Sequence, residues 1–500
     1  MIGRKREIAE LNRIYNRNKA ELVAVYGRRR IGKTYLVDQV FKGKIIFRHA
    51  GLSPVEMKEM SGRSPLQKQL KHFYTSLIGQ GMKKSECPKD WFEAFLMLEQ
   101  LLEKKDNGQR MVVFLDELPW LDTQKSGFLT AFEGFWNTWA CHRDNLMVVV
   151  CGSATTWIVD KLINNHGGLY DRVTYEIKLS PFTLAECEEF LKQEKVKMSR
   201  YDITSAYMIV GGIPYYLGYF EPGKSLARSV DRMFFDKDAK LKFEYDRLFT
   251  SIFDNADMMR NIVEILSKKN CGYTRSEIAK ASGYATGGTL TDALKGLIAN
   301  DFIEEYVPFG RSKREKHYKL IDSFCIFYNR FVKKHNKLNE SFWMMNNTSQ
   351  SVVVWRGLAF ENVCFNHIYQ IKAALGISGI SSEQSAWSKS ADDEEGTQID
   401  MIIKRKDNIV NMCEMKFYST EFKVDKKYHT VLTHRQELLE REIPSRSVIH
   451  NVLITIKGLK YNEYSGFFDN VITLDELFVG VDCTLRVCES FSVNEISQDN

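Results

Sequence analysis

The sequence predicts an α/β protein: a parallel sheet, then a helical segment, a small unit of three helices with two strands, and a second α/β domain. Three observations carry this. The apolar run Leu22-Val23-Ala24-Val25-Tyr26 leads directly into Gly27-Arg28-Arg29-Arg30-Ile31-Gly32-Lys33-Thr34 and then into a helical pattern over residues 34–41. A second apolar strand, Met111 to Leu115, ends in the adjacent carboxylates Asp116 and Glu117. Far downstream, two strands at 398–403 and 409–417 flank Lys406-Asp407-Asn408, a hairpin pattern. The boundaries expected from these patterns are 1–182, 183–245, 246–322 and 340–500.

Composition agrees with several ordinary domains. Of 500 residues, 44% are hydrophobic and 27% charged, as in water-soluble globular chains rather than disordered ones. The net charge of +6 permits a nucleic-acid partner without requiring one, so any basic surface must be local. Ten scattered cysteines, with neither C-x-x-C pairs nor zinc spacing, read as free thiols of a reducing compartment. The opening MIGRKREIAEL has no apolar core of signal-peptide length, and the longest apolar run, near Leu146 to Cys151, is too short to span a membrane. A cytoplasmic protein without membrane association is the expectation.

Residues 27–34 fit the phosphate-binding pattern G-x-x-x-x-G-K-[ST] at every fixed position. Gly27 and Gly32 bare the main chain so that the N–H groups of Arg28, Arg29, Arg30 and Ile31 can approach phosphate oxygens, and Lys33 reaches the terminal phosphates. Thr34 can ligate Mg²⁺. The following helix turns its positive end toward the same point. ATP and Mg²⁺ are therefore the expected ligands.

The strand ending in Asp116-Glu117 supplies the second half of such a site. Asp116 can hold the metal ion through water, and Glu117 can take a proton from an attacking water. A further strand, Leu146 to Val150, is expected beside the phosphate-loop strand and ends in Cys151-Gly152-Ser153. Ser153 is the candidate polar residue at that strand end, with Thr155 and Thr156 as competitors. Arg172, just outside the sheet, is placed to stabilise charge on a transferring phosphoryl group, from its own subunit or across an interface between copies.

Residues 258–320 read as a winged-helix unit: helices at 258–266, 274–281 and 289–300, wing strands at 302–307 and 316–320. Thr274-Arg275-Ser276-Glu277 supplies a capping box to the second helix. The tip Arg311-Ser312-Lys313-Arg314-Glu315-Lys316-His317 is basic and suits contact with DNA phosphates, whereas the third helix offers little to read bases.

In the C-terminal domain a helix over 355–369 carries Glu361. A hairpin centred on Asp407 pairs residue 400 with residue 414, so Asp400, Glu414 and Lys416 share a face. Two carboxylates directly opposed repel, and a divalent metal would resolve the repulsion.

These motifs carry resemblances. Asp400 and Glu414-x-Lys416, preceded by helical Glu361, resemble the PD-(D/E)xK nuclease superfamily, which implies acids holding Mg²⁺ and a lysine that activates the attacking water. No proline precedes Asp400, a departure from that pattern. Ile2-Gly3-Arg4 resembles the segment bordering adenine in AAA+ and STAND ATPases, and Gly212 and Pro214 resemble the Gly-x-Pro of their helical lid. Ser153 resembles the sensor that touches the γ-phosphate or the lytic water. Together the chain resembles the archaeal-type P-loop ATPases. That resemblance implies a P-loop NTPase sheet with helical lid, a winged helix, and a restriction-nuclease-like C-terminal domain. It also implies ATP-dependent switching coupled to DNA-directed or nucleolytic action, with a homo-oligomer or protein partner. The alternative is a regulatory scaffold or transcription regulator whose nuclease-like domain is inactive.

Overall fold

A computed structural model describes residues 2–164, 167–312, 314–334, 340–389 and 397–480. They form two compact units. The first comprises 1–180 with 246–260 and 292–301; the second comprises 181–245, 261–291 and the chain from 302 onward.

The first unit is built on five parallel strands: β1 (Glu21–Tyr26), β2 (Ile45–Ala50), β3 (Met111–Asp116), β4 (Leu146–Gly152) and β5 (Tyr175–Lys178). Their order is β2-β3-β4-β1-β5, so β4 pairs with β1 as the sequence requires, with Leu22 opposite Val148. Residues of β1, β3 and β4 are buried throughout, which explains why these strands show apolar runs instead of alternation: helices cover both faces. On one face, helices Pro65–Gly79, Trp91–Lys105 and Phe128–Thr138 bring Phe73, Trp91, Phe95, Phe128 and Phe132 into one aromatic core. Ser64 caps the first of these through a capping box and Asp90 caps the second, so each helix begins where its first orphan amides find an acceptor. The N-terminal helix is Lys5–Tyr15, with Leu11 and Ile14 buried.

The second unit holds two sheets. One is three-stranded and antiparallel: β6 (Tyr273–Thr274), β7 (Ile303–Tyr306) and β8 (His317–Leu320), in the order β6-β8-β7. Helix Arg275–Ser282 starts at the expected Thr274–Glu277 capping box. The other sheet runs β13-β12-β11-β10-β9, from β9 (Ser382–Lys389), β10 (Thr397–Arg405), β11 (Ile409–Lys416), β12 (Val448–Thr455) and β13 (Asn470–Ile472). Strands β9 to β11 are antiparallel. The parallel pairing of β11 with β12 needs a crossover, which helix Lys426–Glu442 provides.

The hairpin is centred as its sequence suggests. Met401 pairs with Cys413 and Ile402 with Met412, and Asn408 turns the chain with φ +65°, a left-handed conformation asparagine tolerates. Glu361 lies on a longer helix than expected, Gln350–Asn366, followed by a second helix, Ile368–Ala374. Buried His367 makes the break. Its Nδ1 pairs with Val363 O at 2.7 Å, and its Nε2 accepts from Leu184 N at 2.9 Å, so the imidazole is neutral and committed to packing.

Candidate phosphate-loop site and acidic cluster

The loop between β1 and helix Lys33–Val40 has the backbone its glycines permit. Gly27 has φ +135°, and a Cβ there would stand 2.6 Å from Leu179 O; Gly32 has φ +95°. Arg30 is also left-handed, at φ +73°, an uncommon state for a long side chain. Lys33 is buried, and its Nζ donates to Gly27 O at 2.9 Å and Arg28 O at 3.1 Å, so the ammonium folds over the loop that bears it. Burial pulls its pKa down, opposed by the charges of Glu117 and Asp116. Arg4 comes to this loop from the N-terminal segment: buried, with φ +55°, its Nη2 donates to Ile31 O at 3.4 Å.

Asp116 and Glu117 leave β3 beside the loop. Thr34 Oγ1 donates to Asp116 Oδ2 at 2.8 Å. Burial, then the adjacent Glu117, raises the Asp116 pKa, so this carboxyl is short of positive charge. A hydroxyl and a buried carboxylate meeting at one point form the oxygen donor set a hard divalent cation takes, and Thr34 and Asp116 therefore fit Mg²⁺.

Glu117 turns out of the strand with φ +46°. Both Ser153 N, at 3.0 Å, and Ser153 Oγ, at 2.9 Å, donate to its Oε2. The turn is accommodated by glycines at the ends of both neighbouring strands. A Cβ at Gly51, just past β2, would stand 2.8 Å from Glu117 O, and one at Gly152, closing β4, 2.7 Å from Pro119 Cδ. Neither glycine stands out in the sequence; only the sheet order reveals that they flank this turn. Thr155 and Thr156 lie beyond β4 in the short helical turn Thr155–Trp157, and no contact of theirs to Glu117 is seen among the described residues. Arg172 sits in an exposed turn before β5, its main chain tied to Leu169 O, outside this hydrogen-bonded cluster.

Gly212 and Pro214 belong to the second unit. Gly212 presses on the main chain of Phe182: Phe182 N donates to Gly212 O at 2.7 Å, and a Cβ would stand 2.0 Å from Phe182 O. Pro214 opens the short helix Pro214–Leu217, a position that needs no N–H donor.

The C-terminal residues named from sequence also come together. Glu414 Oε1 pairs with Lys416 Nζ at 2.5 Å and accepts from Tyr428 OH, and its Oε2 accepts from Arg435 Nη1 at 2.7 Å. Asp400 Oδ2 accepts from Met415 N at 2.9 Å, and Glu361 Oε2 accepts from Asn270 Nδ2 at 2.8 Å. Burial, with Glu414 and Glu361 nearby, pushes the Asp400 pKa up to about 8. Burial also raises Glu361. Glu414 is held below the usual carboxylate range: burial opposes its charge, and Lys416 and Arg435 outweigh that.

Among the described residues no three His, Cys, Asp or Glu side chains form a group able to hold a metal ion. The acids expected to bind metal are engaged by the chain itself, so their arrangement does not fit a divalent cation. Neither Tyr428 nor the pairing of Arg435 with Glu414 is readable from the sequence, because helical spacing alone does not show which side of Lys426–Glu442 meets β11, and Arg435 reads there as one of a row of basic residues suited to a DNA backbone. Asn270 lies far from Glu361 in sequence, and no motif links them.

The basic tip of the wing is part-neutralised. Arg311 pairs with Glu315 at 3.4 Å and Lys316 with Glu305 at 2.7 Å, while Lys313 lies outside the described residues. The same loop docks on the C-terminal sheet: Phe309 N donates to Ala386 O at 3.2 Å, and its ring packs on the core of Trp387, Ile402 and Met412. The eight described cysteines are free, with Cys483 and Cys488 outside the described residues. Among the described residues no helix is long and apolar enough to cross a membrane.

Residues 1–220 match the family described as an ATPase domain predominantly from Archaea. An uncharacterized protein of Methanocaldococcus jannaschii is 26% identical over 380 residues, which cover 74% of this chain and 77% of that protein. An uncharacterized ATP-binding protein of the same organism is 47% identical over 47 residues, 9% of this chain and 80% of its own. A solved Walker-type ATPase of Pyrococcus abyssi superposes with a TM-score of 0.48 at 18% identity, over 66% of this chain and 96% of that one. The phosphate loop, the paired carboxylates and the strand that joins them all lie within residues 1–220, the segment that matches the ATPase domain found predominantly in Archaea.

Proposed function

We propose that this protein is a Mg²⁺-dependent ATP hydrolase that acts as a conformational switch, and that its second unit receives the signal as a regulatory scaffold. The observation that carries the reading is the linked set Lys33, Thr34, Asp116, Glu117 and Ser153, joined at hydrogen-bond distance around the phosphate loop. The loop amides of residues 28–32, the end of helix Lys33–Val40 and Lys33 hold the phosphates of ATP. Thr34 and Asp116 would hold the metal, which supplies positive charge against the terminal phosphates when bound.

Glu117 takes the proton of the attacking water, which makes the oxygen a better nucleophile. Ser153, with two donors on one oxygen of Glu117, fixes the carboxylate so that it need not reorganise when the proton moves. Arg4 borders the nucleotide through Ile31. Arg172 is kept as the candidate for stabilising phosphoryl charge, in its own subunit or from another copy. Gly212 and Pro214 are the candidates for a helical lid.

For the second unit, a scaffold role is favoured because the wing loop is docked on the C-terminal sheet and two of its cations, Arg311 and Lys316, face acids. A DNA-directed, nucleolytic role remains the second reading, favoured by the convergence of Glu361, Asp400, Glu414 and Lys416. The Lys33→Ala protein tests the first reading. Nucleotide affinity, measured by titration calorimetry, should fall by at least about a hundredfold, since the lysine is the side chain that this loop pattern brings to the terminal phosphates. Unchanged affinity would overturn it.

A further inference from the structure

Strands β7 and β8 set Glu304 directly opposite Lys319, so the two side chains share one face of the three-stranded sheet. Opposite charges in that relation commonly pair. These do not: among the described residues no carboxylate stands within ion-pair distance of the Lys319 ammonium, which lies 5.3 Å from the centre of the Phe365 ring. Both charged groups line a small recess, open to solvent and walled by β7, β8, helix Gln350–Asn366 and β9, all within the second unit.

The floor of the recess is polar. Lys319 is 7% exposed and Asn362 5%. Among the described residues neither side chain has a hydrogen-bond partner, and neither has a polar atom sealed from solvent. Their polar atoms therefore meet the solvent that the recess admits. Half-buried Ser385, on β9, adds a hydroxyl, and exposed Asn366, one turn along the helix from Asn362, adds a second carboxamide. Sinking an ammonium and a carboxamide this deeply is costly when no group of the chain bonds to them, and a ligand that does so removes the cost.

We propose that this recess binds a free α-amino acid: Lys319 takes its carboxylate, with Asn362 donating beside it, and Glu304 at the rim takes its ammonium group. A zwitterion answers both charges at once, whereas an anion alone would meet Glu304 and a cation alone would meet Lys319. The two groups stand on neighbouring strands, near enough for one α-carbon to carry a partner for each. The Phe365 ring gives the ligand's side chain an apolar wall, and the small size of the recess favours a short one. Bound there, the ligand bridges the wing strands and helix Gln350–Asn366, which suits a small-molecule signal received by the second unit. The inference stands apart from the ATPase reading, since no residue of the phosphate loop takes part.

The test is binding of each standard amino acid in turn to the full, nucleotide-free chain, read by saturation-transfer NMR and then by titration. The best binder is compared with the matching acid that lacks the amine and the matching amine that lacks the carboxylate. Lys319→Met keeps an unbranched side chain and removes the charge. Glu304→Gln, at the exposed rim, is the milder variant and remains informative where Lys319→Met does not fold. At least one amino acid should bind wild type with a Kd of about 1 mM or below. Affinity should fall at least about tenfold in Lys319→Met and about threefold in the more exposed Glu304→Gln, and both truncated ligands should bind more weakly than the amino acid.

No binding by any amino acid would overturn the proposal. Equal binding of the acid that lacks the amine would make the recess a plain anion site and overturn it as well. Binding that the folded variants leave unchanged would put the ligand elsewhere on the chain, with the same consequence.

Discussion

Gly212→Ala separates close packing from ordinary helix-boundary chemistry. Where the backbone is unstrained, Gly→Ala normally stabilises by about 0.4–1 kcal/mol, because alanine has less freedom to lose on folding. Here the new Cβ would stand 2.0 Å from Phe182 O and 2.8 Å from Phe182 N and C, against ordinary contacts that begin at 3.4 Å. All three are main-chain atoms, so no side chain can swing away. The two backbones must part by the difference, 3.4 less 2.0, about 1.4 Å, and the 2.7 Å bond from Phe182 N to Gly212 O goes with them. Overpacking costs roughly 1–3 kcal/mol and the lost hydrogen bond about 1 kcal/mol, for a total of roughly 2–4 kcal/mol. Urea denaturation followed by circular dichroism measures it. A variant as stable as wild type, or more so, would refute the close approach of these two segments.

Three further outcomes follow from the same geometry. Burial, aided by neighbouring His72, holds buried His49 down to about 3, so the native state keeps it neutral while the unfolded chain protonates it near 6.5. The unfolded state then binds more protons, and stability should fall as pH drops below 6.5, by up to about 1.4 kcal/mol per unit. Urea midpoints at pH 7 and pH 5 should show a smaller loss in His49→Gln than in wild type, and equal losses would contradict it. Glu414→Ala strands Lys416 and Arg435, which are mostly buried, and should cost about 3–5 kcal/mol, with Glu414→Gln costing less; a loss under about 0.5 kcal/mol in the alanine variant would show the network to be idle. Gly27→Ala places a Cβ 2.6 Å from Leu179 O at a left-handed residue, so nucleotide binding measured by calorimetry should be lost, and wild-type affinity would contradict the loop geometry.

Much of the first unit is legible because its signals are local. A strand, a glycine loop and a helix follow one another within twenty residues, and the loop chemistry fixes where phosphates must go. Asp116 and Glu117 end a strand whose burial leaves them nowhere but the carboxyl end of the sheet. What the sequence hides is lateral: that Gly51 and Gly152 flank the Glu117 turn depends on strand order, which no local pattern encodes. The hairpin register was readable from the two strands and the three residues between them. The partners of its acids were not, since Asn270 arrives from the turn before β6 and Arg435 from a helix whose inward side only packing decides. A lone D…ExK spacing states which acids meet and says nothing of the cations that meet them. The expected metal site is the casualty of that gap.

The measurement that bears most directly on the account is ATP turnover in the presence of Mg²⁺, comparing wild type with Glu117→Gln. The amide keeps the shape and the Ser153 contacts but cannot accept the proton of water. Steady hydrolysis by wild type, with nucleotide bound equally well by the variant and its turnover reduced by about 10²–10⁴, is the predicted result. Hydrolysis by Glu117→Gln at the wild-type rate would contradict the assignment of Glu117 as the base, and with it the proposed chemistry of the site.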